Sequence, residues 1–427
     1  MTDITEALMG FELGDDESES AVQTLERTNA HAMCAMAFSL HWESEFARHT
    51  DQLVARKLNL WRDILPYELE PELIDKPVDH IASRRFAPGE LIVPYQSDLC
   101  FNLRQSAFHR KLRKNNYIEP RTGRFYPRAF IGGSRGIFPE ERLPFRVSSV
   151  SGDMIGCDLN HPLAERALDL SVRILDIWAA GEEHGGSCND IAEMITLNGP
   201  GMQARWRGKP TDFWQDLPFA RVAGEPDAGF YAMPRLVPHV DQTASAQIGQ
   251  LYQRLLPSQG RVLDLMASWQ SHLPDAHGLG EIIGLGMNAE ELAANPLLAG
   301  HRLHDLNLDP KLPYEDAEFD AVICSLSVEY LVKPFEVFAE VARVLRPGGR
   351  FVITFSNRWF PPKVIRVWEG IHEFERPGLI LEYFLRDGLF DRLETWSVRG
   401  LPRPADDKYA DQMADSDPVY AVWGSKR

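Results

Sequence analysis

The sequence predicts an α/β protein whose C-terminal half is built on a mostly parallel sheet with an antiparallel edge. Between residues 261 and 357, short apolar runs alternate with segments of helical spacing. Strands separated by helix-length segments indicate parallel βαβ units, whose ligands bind at the carboxyl ends of the strands. Residues 379–398 and Val419–Trp423 can supply two last strands, which would add the antiparallel edge.

The elements of this half can be placed in order along the chain. The four predicted strands that come first are Arg261–Leu265, Glu281–Gly286, His301–Asp305 and Phe319–Ser325. The apolar residues of Pro334–Leu345 recur at helical spacing, so a helix is expected there. The Arg-Pro-Gly-Gly sequence at 346–349 ends this helix before a fifth strand at Arg350–Phe355.

The stretch from Leu312 to Asn357, LPYEDAEFDAVICSLSVEYLVKPFEVFAEVARVLRPGGRFVITFSN, resembles the class I S-adenosylmethionine-dependent methyltransferases of type 11. It is similar to their post-adenine segment, fourth strand, following helix and fifth strand. The resemblance implies a Rossmann-like methyltransferase sheet and S-adenosylmethionine as cofactor. It also implies methyl transfer, an in-line displacement that requires no metal.

Two of the usual cofactor signatures of that family are altered. Its first strand ends in an acid and a glycine-rich turn, whereas residues 264–272 read DLMASWQSH without a glycine. Its second strand ends in an acid for the ribose hydroxyls, and the matching residue here is Gly286. A subgroup with the motif LDLMSSW has a similar replacement, so we interpret the change as a variant pocket. The alternative is that Met266 and Trp269 only pack under the sheet.

The resemblance implies roles for individual residues. The cofactor set comprises Asp264, Ser268 and Trp269 for the methionine part, Gly286 and Met287 for the ribose and adenine, Asp305 and Leu306 for the adenine edge, and Ser325 and Tyr330 for the sulfonium side. The set for the acceptor follows the fifth strand and comprises Asn357 and Arg358 to orient it and Trp359 to wall it, with Phe360 beside Trp359 as a second wall residue.

The segment before the first strand is predicted to form a lid. Residues 230–241, FYAMPRLVPHVD, combine aromatic, basic and acidic groups, and in the family this segment commonly lies over the cofactor and acceptor. The predicted catalytic set is therefore Tyr231, Arg235, His239 and Asp241. His239 is the expected base, because an imidazole accepts protons near neutral pH. In the alternative, Arg235 and Asp241 form a structural ion pair and His239 is a satisfied polar residue.

The remainder of the chain predicts three further regions. Apolar residues from Val22 to Leu65 indicate amphipathic helices, so residues 1–87 are expected to be helical. Residues 144–177, PFRVSSVSGDMIGCDLNHPLAERALDLSVRILDI, resemble the last strands of FKBP prolyl isomerases of the SlyD kind. The resemblance implies a β module at 88–180, followed by a linker and lid at 181–242 and the methyltransferase domain at 243–427. The early strands of the FKBP fold are not found, which favours a scaffold or partner surface over an active isomerase.

The composition of the chain limits which binding partners and which cellular compartment are expected. The net charge of −17 argues against nucleic acid as a partner, because phosphate backbones require a basic face. The five cysteines are dispersed and lack the spacing of zinc ligands, so no metal is expected. The same dispersal indicates reduced thiols, and a cytoplasmic protein is therefore expected. No apolar run is long enough for a membrane span, and the acidic stretch 12–20 is expected to be mobile. The oligomeric state is not predicted.

Three functions follow from these patterns. The first is an S-adenosylmethionine-dependent methyltransferase that acts on a small soluble acceptor, for which a thiol is one candidate. The second is a methyltransferase-shaped binding module without catalysis, coupled to an FKBP-like interaction surface. The third is a prolyl isomerase or chaperone with an accessory methyltransferase domain. Cofactor binding separates the first from the second, and turnover of a proline peptide tests the third.

Overall fold

The computed structural model describes residues 23–109, 111–113, 116–180, 186–197, 199–214, 217–273 and 278–427. The acidic stretch 12–20 lies outside these ranges. Within them, no helix has both the length and the apolar character needed to cross a membrane.

Strands dominate the N-terminal half of the described chain, and helices are concentrated in the C-terminal half. The strands are β1 (Met33–Glu43), β2 (Ala47–Asn59), β3 (Ile81–Phe86), β4 (Cys100–Arg104), β5 (Lys111–Arg113), β6 (Asn116–Tyr117), β7 (Phe125–Pro127), β8 (Pro144–Ser151), β9 (Met154–Asp158), β10 (Leu168–Trp178), β11 (Val262–Leu265), β12 (Ile282–Gly286), β13 (Gly300–Leu303), β14 (Phe319–Ser325), β15 (Leu345–Phe355), β16 (Phe390–Arg399) and β17 (Val419–Lys426). The helices are α1 (Glu70–Leu73), α2 (Ile191–Thr196), α3 (Asp227–Phe230), α4 (Gln242–Leu255), α5 (Ala289–Ala294), α6 (Pro334–Val344), α7 (Arg366–Glu369) and α8 (Glu375–Leu385).

One sheet of 11 strands extends through both halves, in the order β13-β12-β11-β14-β15-β17-β16-β2-β1-β10-β3. From β13 to β15 the neighbouring strands are parallel, as the sequence predicts. Strand β17 is antiparallel to β15 and β16. The sheet as a whole is mixed, and the predicted antiparallel edge is wrong because β16 pairs on its far side with β2.

Apolar side chains on the two faces of the C-terminal half form two cores. Helices α6 and α8 pack on one face of β11–β17, where Phe338, Phe351 and Phe384 are in contact. Helix α4 packs on the other face through Ile248 and Tyr252. Strands β11 and β12 are buried along their whole length, and the carboxyl ends of β11, β12 and β14 remain as the accessible edge.

The predicted helical N-terminal region is wrong, because residues 33–59 form strands β1 and β2. Every residue of β1 from Cys34 to Leu40 is buried. A strand covered on both faces shows a continuous apolar run and no alternation. Ala32, Met36 and Leu40 happen to lie four residues apart, which is the spacing of a helix face.

Buried polar side chains hold the junction between β2 and β16. The His49 Nδ1 lies 2.7 Å from Thr395 Oγ1, and its Nε2 lies 2.8 Å from Ser44 Oγ. Ser397 donates a hydrogen bond of 2.7 Å to the Asp51 carboxylate, which also accepts from Trp42 at 2.9 Å. Burial lowers the pKa of His49 to about 3, so its imidazole is neutral at this junction.

The predicted β module at 88–180 does not form one unit. Strands β7, β8, β9 and β4 form a separate small antiparallel sheet. Strand β10, the end of the segment that resembles prolyl isomerases, leaves this sheet and pairs with β1 and β3 in the large one. The resemblance to the FKBP family remains a prediction.

Candidate active site

A cavity opens at the carboxyl ends of β11, β12 and β14. Its wall is formed by the turn after β11, the start of α5, the loops after β13 and β14, and the segment before α4. The lining residues are Asp227, Tyr231, Arg235, His239, Asp264, Met266, Ala267, Ser268, Gln270, His272, Leu285, Gly286, Met287, Asn288, Glu291, His304, Asp305, Leu306, Asn307, Ser325, Leu326, Ser327, Tyr330 and Phe360.

The turn after β11 lies directly over the end of β12. Met266 has a φ of +59°, and the N–H of Ala267 donates a hydrogen bond of 2.8 Å to the Leu285 carbonyl. A Cβ atom placed on Gly286 would lie 2.2 Å from the Ala267 carbonyl oxygen. The glycine at the end of β12 is therefore required by the turn after β11. The two departures from the family pattern thus have one structural cause.

Asp264 is a buried carboxyl group at the end of β11. A hydrogen bond from Ser271 reaches its carboxylate, and its Oδ2 has no hydrogen-bond partner among the described residues. Burial raises the pKa of Asp264 to about 7. An orphaned oxygen in a cavity wall is a natural partner for a donor group of a bound molecule.

Glu291 ties the turn after β11 to the predicted lid, and sequence reasoning missed it. Ser268 Oγ donates to Glu291 Oε2 at 2.6 Å, and the backbone N–H of Arg235 donates to Oε1 at 2.7 Å. Asn288 caps α5 and donates through its side chain to the Tyr231 carbonyl at 2.9 Å. The pattern Asn288-Ala-Glu-Glu291 resembles a capping box, which is the signal that could have found both residues.

Three of the four predicted lid residues line the cavity. The His239 ring lies edge-on to Phe360 with centroids 5.5 Å apart. The guanidinium of Arg235 lies 4.4 Å over the Phe230 ring, and in the described part of the chain it forms no ion pair. Burial lowers the pKa of His239 and raises the pKa of Tyr231. The neutral imidazole is therefore the group of this lid that can accept a proton.

Asp241 does not line the cavity. Its carboxylate caps α4 by accepting from the Ala244 N–H at 3.0 Å. It also accepts from Ser416 Oγ at 2.8 Å and lies 3.4 Å from Arg403 Nη1. The structure thus assigns Asp241 to a buried structural network, and the alternative ion pair with Arg235 is not formed.

We expect Asp241→Ala to lower the free energy of unfolding by about 3 kcal/mol, since it removes a helix cap and one partner of a buried charge. Urea denaturation measures this loss, with the exposed Asp387→Ala as control. Wild-type stability combined with lost turnover would restore Asp241 to the catalytic set.

Eight of the nine predicted cofactor residues line the cavity, and Trp269 is the exception. Its indole Nε1 donates to the Val237 carbonyl at 3.2 Å and so holds the lid from outside. The Asp305 carboxylate accepts from the backbone N–H groups of Asn307 and Leu308 and shapes the loop after β13. Ser325 Oγ lies 2.6 Å from the Tyr252 hydroxyl.

Three of the residues predicted for the acceptor lie outside the cavity. Arg358 pairs with Asp417 at 3.1 Å. Trp359 lies under the guanidinium of Arg376 at 4.3 Å, and Asn357 is exposed. Phe360, which was expected to form a wall of the acceptor pocket together with Trp359, does line the cavity. Of the loop after the fifth strand, this aromatic side chain is the one that reaches the cavity in the described structure.

Within the described ranges, no group of three or more His, Cys, Asp or Glu side chains is arranged to hold a metal ion.

Comparison with known proteins gives matches for the C-terminal half. Residues 267–353 match the family model described as methyltransferase domain. The chain is 26% identical over 112 residues to malonyl-[acyl-carrier protein] O-methyltransferase of Marinomonas sp., which covers 26% of this chain and 40% of that protein. It is 25% identical over 202 residues to the ubiquinone/menaquinone biosynthesis C-methyltransferase UbiE of Brucella anthropi, covering 47% of this chain and 69% of that protein. A solved S-adenosylmethionine-dependent methyltransferase from Mesorhizobium loti aligns with 19% identity and a TM-score of 0.29, over 41% of this chain and 96% of that one.

The chain spans 40% and 36% of the length of the first two curated relatives that it matches. The predicted enzyme class, an S-adenosylmethionine-dependent methyltransferase, and its cofactor are confirmed at the level of this domain. None of these relatives is a prolyl isomerase.

Proposed function

We propose that this chain, whose C-terminal half carries a methyltransferase domain with S-adenosylmethionine as its cofactor, transfers a methyl group to a small soluble acceptor. The observation that carries the proposal is the cavity at the carboxyl ends of β11, β12 and β14, whose lining includes His239 from the segment before α4, with a pKa that burial lowers. The cofactor, when bound, supplies a sulfonium methyl group. The residues of the cavity must align the acceptor and exclude water.

The residues of the cavity fit this cofactor, but with contacts that differ from those of the related family. The orphaned Oδ2 of Asp264 can accept from the amino group of the methionine part, a charge-assisted contact. Gly286 can offer no carboxylate to the ribose hydroxyls, because the Ala267 carbonyl fills that space. The related family carries an acid at the position of Gly286. Among the acidic residues that line the cavity, Glu291 on the helix after β12 is nearest in sequence to that position.

His239 is the proposed base for an acceptor that loses a proton as the methyl group is transferred. Its ring is fixed against Phe360 at the cavity wall. Burial is the main cause of its lowered pKa, and Arg235 and Arg358 act in the same direction. A hydroxyl or thiol acceptor would transfer its proton to this imidazole. A thiol is the first acceptor to test, since a thiol with an ordinary pKa near ~8.5 needs little help to form the nucleophilic thiolate.

The proposal is tested by titrating the full chain with S-adenosylmethionine and with S-adenosylhomocysteine in a calorimeter. We expect binding of both, followed by methyl transfer from labelled cofactor to members of a panel of small thiols, phenols and carboxylic acids. Absence of heat and of any thermal shift at saturating cofactor would exclude the function.

We expect His239→Asn to lower kcat about 10²- to 10⁴-fold, the usual contribution of a general base, while the affinity for the cofactor stays near the wild-type value. In the wild type, kcat/KM should fall as the pH drops through the lowered pKa of His239, below 6.5, because protonation removes the base. The matched control is His301→Asn, an exposed histidine of β13 outside the cavity. Equal losses in the two variants would show that His239 is not the base.

A further inference from the structure

A second cavity is bounded by the small sheet, by residues 160–166 and by the segment 204–207. It shares no lining residue with the candidate active site. Its lining combines arginines, carboxylates and aromatic rings. The proposed methyltransferase function does not involve this second cavity, so a ligand of the cavity can be tested separately from that function.

Three of the four arginines that line this cavity are paired with carboxylates. Arg166 donates to Glu45 at 2.9 Å, Arg205 to Glu382 at 2.6 Å, and Arg207 to Glu165 at 3.3 Å. These pairs are close to neutral and leave little attraction for a further anion.

Arg146, on β8, is the fourth arginine and differs from the others. Its side chain is 94% buried, as only 6% of the residue is exposed, and no carboxylate of the described chain lies within 4.0 Å of its nitrogens. Its Nη2 donates to the Ala204 carbonyl at 3.1 Å and to the Gly201 carbonyl at 3.4 Å. Its Nε has no hydrogen-bond partner among the described residues. A buried guanidinium without a counter-ion is costly, and its pKa is lowered to about 10 by burial.

Asp158 is the carboxylate best placed by the sheet to pair with Arg146, since the two residues are opposite each other on β9 and β8. Its oxygens are used elsewhere. Oδ1 accepts from the backbone and side chain of Asn160 at 2.9 Å each, and Oδ2 accepts from the Trp206 indole at 3.2 Å. The adjacent acid therefore attracts Arg146 only at longer range.

We propose that this cavity binds the carboxylate of a small molecule, with Arg146 as the cation that pairs with it. A single unpaired guanidinium matches a planar, singly charged carboxylate. A doubly charged phosphate would meet only one uncompensated cation and would face the carboxylates of Glu45, Asp158 and Glu165 in the same wall. We therefore expect inorganic phosphate to bind more weakly than a carboxylate.

Aromatic side chains of the cavity indicate what the carboxylate is attached to. Tyr95, Phe125 and Trp206 line the wall, and the guanidinium of Arg146 lies 4.2 Å from the centre of the Phe125 ring. Rings beside a buried cation suit an apolar or aromatic body that carries the acid group. The ligand class is thus a small aromatic or branched apolar carboxylic acid.

The test uses the full chain and the probe pair benzoate and benzamide, which have the same shape and differ in charge. Calorimetric titration of the wild type should give binding of benzoate and none of benzamide, and Arg146→Met should weaken benzoate binding by about 10- to 100-fold, the usual effect of losing a charged partner. Arg146→Lys should retain part of the affinity. Arg128→Met, which changes an arginine that follows β7, is paired with Glu141 and lies outside the cavity, should bind benzoate as the wild type does.

A measurement on the wild type keeps the test decisive if Arg146→Met does not fold. A photoreactive azidobenzoate should label side chains of the lining such as Tyr95 or Trp206, as read by mass spectrometry, and benzoate should compete with this labelling while benzamide does not. Equal binding of benzoate and benzamide, labelling that is absent from the lining, or competition by phosphate as strong as that by benzoate, would overturn the proposal. Benzoate binding that persists unchanged in Arg146→Met would also overturn it.

Discussion

We expect Gly286→Asp to weaken binding of S-adenosylmethionine by about 10- to 100-fold, although it restores the acid that the related family carries at this position. The Ala267 carbonyl oxygen would lie 2.2 Å from the new Cβ, well inside contact distance. Relief requires the turn after β11 to move, and that turn carries Ser268 and is bonded to Leu285. The substitution would therefore distort the part of the cofactor cavity that the turn after β11 forms, even though it adds a carboxylate for the ribose hydroxyls.

The same substitution should lower the free energy of unfolding by about 3 kcal/mol, since overpacking against backbone cannot be relieved by a side-chain rotation. Gly286→Ala should cause most of this loss without adding a charge, which isolates the steric cause. Gly300→Ala, on the adjacent strand β13, is the matched control, because its Cβ would meet only Ile283 Cδ1 at 3.6 Å. Tighter cofactor binding by a stable Gly286→Asp would contradict the expectation.

We expect Asp264→Asn to stabilise the free chain above pH 7 by about 2–4 kcal/mol while it weakens cofactor binding. The folded-state pKa of Asp264 is raised by burial to about 7 from an ordinary value of 3.8, so the folded chain holds this proton more tightly than the unfolded chain. The stability that this provides is fully present below pH 3.8 and is lost as the pH rises to about 7.

The amide is neutral at every pH and removes this loss. The difference in unfolding free energy between Asp264→Asn and wild type should therefore grow from pH 4 to pH 7 and then stay constant. Denaturant unfolding at a series of pH values measures it, with the exposed Asp387→Asn as control. A difference that does not depend on pH would show that Asp264 titrates normally.

The sequence predicted the fold best in the C-terminal half, where turn residues interrupt the regular patterns of strands and helix. The strands between Arg261 and Phe355 were predicted because each is a short apolar run. The helix at 334–344 was predicted because its apolar residues have helical spacing and a Pro-Gly-Gly sequence follows it. The strand β1 was missed because both of its faces are covered, so the apolar run lacks alternation. Pairing of β2 with β16 has no local signal, since the partners are hundreds of residues apart.

The candidate site was predicted in part for a similar reason. Residues at strand ends, such as Asp264 and Ser325, are placed by the fold itself. Asp241 and Trp359 were assigned to the site from sequence position alone, and neither lines the cavity in the structure. Glu291 and Arg146 were missed because their importance depends on which neighbours are already engaged. A sequence contains no record of unpaired atoms.

The pairing of β2 with β16 has a consequence for synthesis of the chain. His49 and Thr395, which are in hydrogen-bond contact, are 346 residues apart in sequence. At translation rates of about 5–20 residues per second, β2 leaves the ribosome about 20–70 s before its partner exists. During that interval its N–H and C=O groups form an open strand edge, which is a template for association with other chains. Nascent chains of this protein should therefore depend on chaperones that cover extended edges until β16 emerges.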